Sequence, residues 1–345
     1  MAPAKDRGDL GLKRWLGAAL WLLALIVCLA GLDRALRRGD GEAKYSAFLR
    51  EEGEYDVFFL GTSHVMDAVY PPLLWRDYGL TSYNLGNAAE TMEATYWTLR
   101  LALGYHTPKA VVVDVCYMDR AQADADSFAT NHLFLDELPL SREKLKAIWS
   151  LFPSGSRAEF VLPLVAYHTR WEEWLAGTAE GMVDAALPCM FGAELRAGRS
   201  APAPFERVTG MDLTETPGKR ALREMIALCK ARGIEVVLTA IPYPAEPERQ
   251  RMMNSAQAIA DEAGVPFLNL FDADGLVDFE TDCYDSMSHL NPDGAQKVTA
   301  YLGAYLSGLS SLADRRGDAA FSRWDDALEA YNRAYEELWA EQSLL

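Results

Sequence analysis

The stretch Asp56-Val57-Phe58-Phe59-Leu60-Gly61-Thr62-Ser63-His64 decides how the chain reads. Four consecutive large apolar residues stopped by a glycine describe a short strand covered on both faces, as in a parallel sheet, rather than a half-exposed strand with alternating polarity. A serine just past such a strand end is well placed to act as a nucleophile. Far along the chain, Asp285-Ser286-Met287-Ser288-His289-Leu290-Asn291 offers a histidine with a carboxylate beside it. That pair is the usual means of activating a serine hydroxyl, which is a weak nucleophile on its own.

Outward from Ser63, apolar strand-like runs alternate with helical spacing. A short strand and turn at 82–86 precedes a helical pattern at 91–103, with Met92, Tyr96, Leu99 and Leu103 on one side. Residues 109–115, centred on Val111-Val112-Val113, read as a parallel-type strand. Alternation lapses over 119–215, read as a helical insertion or lid. It resumes with a helix at 217–232, a strand at 234–239, a helix at 249–263, a strand at 265–270 and a closing helix at 294–306. Strands separated by helices predict an α/β domain with a parallel sheet covered on both faces, whose functional groups collect beyond the carboxyl ends of the strands. Residues 321–338 predict an acidic amphipathic helix with Trp324, Leu328, Tyr331, Tyr335 and Leu338 on one face.

The N-terminus reads differently. Residues 15–32 carry no charge, and as a helix this run would span about 27 Å, close to a bilayer core. Lys5, Arg7, Lys13 and Arg14 precede it and Arg34, Arg37 and Arg38 follow. The run is long for a cleaved signal, and Leu29-Ala30-Gly31-Leu32 is a poor cleavage site, so the reading favours an uncleaved anchor with the body outside the cytoplasm. The expected organisation is a tail and signal-anchor helix at 1–40, a catalytic domain at 41–310 carrying the insertion 119–215, and a C-terminal helix at 311–345. Localisation would be the cell membrane, single-pass, with membrane lipid as the partner of the anchor.

The chain has 345 residues and a formal net charge of −17. Residues 1–40 hold seven Lys/Arg against four Asp/Glu, leaving 26 against 46 for the remainder. So acidic a body has no basic surface for phosphate, and a nucleic-acid partner is not expected. The five cysteines form no CxxC or Cys/His cluster. A Cys189–Cys283 bridge is one possibility; buried free thiols are the plainer reading. Asp282, Asp285 and His289 match no metal-ligand spacing and no Gly-rich phosphate loop is present, so neither metal nor cofactor is expected.

In the expected chemistry, Ser63 forms an acyl-enzyme, His289 acts as general base and then acid, and Asp285 orients His289, with Asp282 in reserve. The oxyanion would meet the Ser63 N–H and donors from the 84–89 loop. His64, beside Ser63, and His168 and Arg170, in Tyr167-His168-Thr169-Arg170-Trp171, are candidate substrate contacts. A guanidinium suits a carboxylate and an aromatic ring suits a sugar face. The same cluster also reads as a helix start packed on the core.

A strand followed by Gly61-Thr62-Ser63-His64, then Tyr83-Asn84-Leu85-Gly86, then a late Asp and Ser-His-Leu-Asn before a helix, resembles the SGNH (GDSL-like) hydrolase superfamily over roughly residues 52–310. That resemblance implies a flavodoxin-like three-layer α/β/α fold, with the nucleophile at Ser63 and the base at His289. The family's Asp stands three residues before its His, where this chain has Ser286; Asp285 is one position early. The family's second-block glycine falls on Ala89. Its third-block Asn falls on Met118, leaving Asn84 or Asn87 as substitute donors. More narrowly, the chain resembles membrane-anchored bacterial members that esterify or de-esterify cell-surface polysaccharide. This implies an acyl ester or glycan substrate, an acetyl group as the cargo, and a multi-pass membrane acyltransferase as a partner. The alternative is a non-catalytic or glycan-binding component of such a system.

Overall fold

In the computed structural model, the described residues are 6–37, 44–45, 47–50, 54–122, 125–177, 187–201, 205–287 and 289–342. Five strands, β1 (Val57–Leu60), β2 (Ser82–Asn84), β3 (Ala110–Asp114), β4 (Glu235–Ala240) and β5 (Phe267–Asn269), form one sheet in the order β2-β1-β3-β4-β5. Every pairing is parallel. This is the flavodoxin-like doubly wound order, which reverses direction between β1 and β3.

Strand alternation divides the core into two layers. Phe58, Leu60, Val111, Val113 and Leu238 pack on one side with residues of the helices Met92–Ala102 and Pro217–Lys230. Val57, Phe59, Val112 and Val237 pack on the other with Val65, Leu74, Val298 and Leu302, from Ser63–Ala68, Pro71–Tyr78 and Pro292–Leu306. Both faces are covered, which is why β1 and the centre of β3 are apolar throughout.

Local signals set the helix starts. Thr62, Thr91, Ser141, Thr216 and Asn291 each accept a backbone N–H from the first turn that follows. One expected element divides: in place of a single helix over 249–263, Pro247–Asn254 and Ala256–Ala263 meet at Ser255. The Ser255 hydroxyl donates to Met252 O at 2.6 Å, and Asn254 turns its amide to Val208 O and Gly210 O. Tertiary bonds therefore interrupt a helix that spacing alone would continue.

The insertion after β3 holds Ala125–Leu135, Arg142–Leu151, Arg157–Val161, Leu164–Tyr167 and Trp171–Ala176. Its returning segment braces the sheet edge. Asn84 N–H donates to Phe191 O, Glu194 N–H to Met66 O, and Ser200 N–H to Cys283 O. Cys189 and Cys283 are both free thiols, so the bridge considered from the sequence is not formed. The C-terminal helix Ser322–Gln342 lies on the domain: Trp324 is buried and stacks on Phe191 at 4.0 Å, and Asp325 accepts from the Trp75 indole at 2.9 Å.

The N-terminal helix Asp6–Leu36 includes one stretch, Lys13–Leu36, long and apolar enough to cross a membrane, with mean hydropathy 2.4 in its most apolar window and none of that window buried. Its far end is not loose. Asp33 and Leu36 are buried against the insertion.

Gly61 is a tight point two residues before Ser63. Its φ of +151° belongs to glycine, and an added Cβ would stand 2.7 Å from Val65 Cγ2 and 2.8 Å from Asp114 Cβ. We predict that Gly61→Ala costs on the order of 3 kcal/mol through combined backbone strain and overpacking. A urea midpoint within error of the parent would refute this account of the turn.

Candidate active site

Ser63 opens the helix that follows β1, at the reversal point of the strand order, where open α/β sheets place their ligand crevices. His289 comes from a loop closed at its base: Tyr284 N–H donates to His289 O at 3.0 Å and Asn291 N–H to Asp282 O at 2.8 Å. Asn291 completes the closure. Its Oδ1 caps Pro292–Leu306, while its Nδ2 donates to Gly198 O and Thr281 O.

Ser63 Oγ stands 2.8 Å from His289 Nε2, and His289 Nδ1 stands 2.7 Å from Asp285 Oδ2. A carboxylate only accepts, so Nδ1 carries the proton and Nε2 is left to accept from the serine hydroxyl. Asp285 Oδ1 also accepts the His289 N–H at 3.0 Å and the Met287 N–H at 3.1 Å. One carboxylate thus shapes the loop and fixes the ring it presents. This is how Asp285 reaches His289 from four residues back: the loop turns around the carboxylate. Asp282, the reserve, is engaged by Lys297 at 2.6 Å and by the Asp278 N–H.

His289 lies between two rings. His64 stacks on it at 5.1 Å and Tyr284 at 5.7 Å, and Tyr243 continues the column at 4.2 Å from His64. Burial, with the neighbouring His289 and Arg249 charges, pushes the His64 imidazole down to about 3. His64 is therefore a neutral wall that orients His289, rather than an exposed substrate contact. Tyr284 donates to Asp67, whose carboxyl burial raises well above the usual range. Tyr243 and Tyr284 were not found by sequence reasoning. Tyr284 lies in the segment leading to His289, but no spacing rule points to either ring.

The expected oxyanion donors divide. Ala89 has φ +52°, so the position where the resembled family has glycine keeps a left-handed backbone here with an alanine. Neither its N–H nor that of Ser63 has an acceptor among the described residues. Asn87 N–H is bonded to Gly61 O at 3.0 Å, which joins the loop to the Ser63 turn, and its side chain donates to Thr130 O at 3.3 Å. Asn84 is excluded as a donor. Both its amide hydrogens go to Val65 O and Val69 O at 2.8 Å, bracing the Ser63 helix from below. Met118 is fully buried in the core.

His168 and Arg170 are not at this site. His168 bonds Val165 O, and Arg170, buried, pairs with Glu173 and donates to Leu36 O at the end of the N-terminal helix. The insertion turns this cluster toward that helix, which spacing could not reveal.

No family model matches the chain, and no curated protein does. Solved structures resemble it: a protein described as lipolytic, of the G-D-S-L family, from Desulfitobacterium hafniense (11% identity, 73% of this chain and 99% of that one, TM-score 0.39). A lipase/acylhydrolase from Enterococcus faecalis (12%, 73% and 95%, 0.37) and a GDSL-like lipase from Bacteroides thetaiotaomicron (12%, 78% and 97%, 0.37) are similar to it to the same degree.

Two predictions follow from the geometry of the site. Between about pH 6.5 and 3 the unfolded chain binds a proton at His64 that the folded chain refuses, so this group subtracts stability as pH falls. His64→Phe keeps a ring in the stack and removes the titration. Lowering pH from 7 to 5 should cost the parent about 2 kcal/mol more than the variant in urea unfolding; parallel curves would contradict it. Ala89→Gly should stabilise the protein by about 1 kcal/mol, because glycine meets no Cβ penalty at this φ. A lowered midpoint would show that the alanine methyl contributes packing that outweighs the strain.

Proposed function

We propose that this chain is a serine-dependent acyl hydrolase or acyltransferase. The observation that carries the proposal is the continuous Ser63–His289–Asp285 relay, with bonds of 2.8 and 2.7 Å, at the carboxyl edge of the sheet. In this reading Ser63 Oγ attacks an ester carbonyl as its proton passes to His289 Nε2. Asp285 stabilises the imidazolium and holds its orientation. The oxyanion is met by the Ser63 and Ala89 N–H groups, with the remaining Asn87 amide hydrogen as a third donor. Collapse returns the proton to the leaving alkoxide and leaves an acyl-enzyme; a second hydroxyl, from water or from an acceptor, repeats the steps in reverse.

We further propose a small acyl group, acetyl being the first candidate, and a cell-surface glycan as the acceptor or the esterified substrate. The half-exposed position of Ser63 and Asp285 supports a bulky partner, since a polymer must reach the serine without a closed cavity. The apolar helix Lys13–Leu36 supports a single-pass anchor with the body at an extracytoplasmic bacterial membrane surface. A multi-pass acyltransferase that hands over the acyl group would be compatible with that position.

The test is turnover of p-nitrophenyl acetate by the full chain in detergent, with labelling of Ser63 by a fluorophosphonate read by mass spectrometry. Ser63→Ala or His289→Ala should remove activity by up to about 10⁶-fold, and Asp285→Asn should cost about 10⁴-fold in kcat by releasing the wrong tautomer. Equal rates in all four proteins and no adduct on Ser63 would overturn the enzyme reading in favour of a non-catalytic, glycan-binding component.

A further inference from the structure

We propose that the insertion carries a membrane-seating face: the exposed apolar side chains Leu162, Val165, Trp171 and Leu175 lie in the lipid interface beside the exit of the N-terminal helix. The inference rests on the reading of that helix as a membrane anchor.

Position is the first support. The uncharged run ends at Leu32, and Asp33 is the first charge beyond it. Asp33 Oδ1 accepts the Leu164 N–H at 2.6 Å, and Arg170 donates to Leu36 O at 3.3 Å. With a rise of about 1.5 Å per residue, these contacts lie within about 6 Å of the end of the apolar run, inside the headgroup zone that flanks a bilayer core. The insertion helices Leu164–Tyr167 and Trp171–Ala176 are therefore held at the level of the membrane surface.

Chemistry is the second. Leu162, Val165, Trp171 and Leu175 are 37, 42, 52 and 67% exposed, within fourteen residues of one another in the chain. Large apolar side chains so exposed on a strongly acidic body call for a covering. A Trp with aliphatic neighbours is the composition that favours the lipid–water boundary. Arg170, from the same segment, turns inward instead, to Glu173 and to the anchor. The segment that carries these side chains is thus bonded to the helix end that the anchor reading places at the membrane surface. The occupant is a bilayer surface. Seated in this way, the body would be held against the membrane at two points instead of swinging from a tether.

The experiment uses the full chain in phospholipid vesicles, with Cys28 and Cys189 replaced by Ser. An environment-sensitive NBD label is placed on Leu175→Cys, on Leu22→Cys in the anchor, or on Glu336→Cys on the C-terminal helix. Seating predicts that NBD at 175 emits to the blue of NBD at 336. It should also be quenched at least about twofold more by lipids carrying a nitroxide near the headgroup. Quenching at 22 but water-like emission at 175 would overturn the seating face and leave the anchor standing. Absence of quenching at both would overturn the anchor reading and this one with it. Blue emission at 175 without lipid quenching would also overturn the proposal, because it would mean burial against protein. Leu175→Glu should leave p-nitrophenyl acetate turnover in detergent unchanged while raising NBD exposure at Val165→Cys in vesicles.

Discussion

Because all five strands run in one direction, every loop at their carboxyl ends opens on the same edge of the sheet, and the candidate chemistry depends on that constraint. Ser63, the 84–90 loop, the Cys116–Met118 turn, Tyr243 and the Asp285/His289 loop follow β1, β2, β3, β4 and β5 in turn. A parallel sheet must bury both faces, so its strand centres become apolar runs and polar side chains such as Asn84 and Asp114 stand at their carboxyl ends. The chemistry is thereby displaced to the strand ends. There Gly61 admits a close approach, with the Asp114 side chain pressed against the turn that presents Ser63.

Charge is rationed around the serine, and burial decides how. Asp114 sits in the floor of the site, accepting from the N–H groups of Ile241 and Cys116, yet burial pushes its carboxyl up to about 7. Two hydrogen bonds offset only part of the loss of solvent. Asp67 and His64, both buried near His289, are likewise moved toward their neutral forms. Asp285, partly exposed, therefore stands as the carboxylate best able to balance an imidazolium at His289. Neutral neighbours on either side leave that pairing uncontested, and a stack of rings restricts rotation of the imidazole without offering it a second proton acceptor.

The fold was more legible than the details of the site. Strand runs such as Val111-Val112-Val113 and the capping residues Thr62, Thr91, Thr216 and Asn291 announce themselves, because each works through local periodicity or a bond to the next turn. Ser63, His289 and Asp285 stand within short quoted motifs, and their meeting required only that both loops open on one edge. What could not be read depended on who packs against whom. Asn84 looked like a donor aimed at the reaction and is instead committed to two carbonyls. Tyr243 joins the ring column from beyond β4, more than forty residues from His289 in the chain. His168 and Arg170 have the composition of a substrate contact, but the insertion carries no periodicity that would have told which way it folds.

The same insertion couples the two most different parts of the chain. A helix that ends in the open leaves its last carbonyls to water and frays. Here Leu36 O is taken by Arg170, Arg37 is paired with Asp33 and also reaches Asp136 O, and Asp33 in turn holds the Leu164 N–H. Each of these bonds joins the N-terminal helix to itself or to the insertion, and together they involve a buried carboxylate that would be costly to leave unpaired. The returning arm of the insertion, in turn, bonds Met66, Asn84 and Cys283, next to the elements that carry Ser63 and His289. The described parts of the insertion thus bond both the N-terminal helix and the segments next to Ser63 and His289.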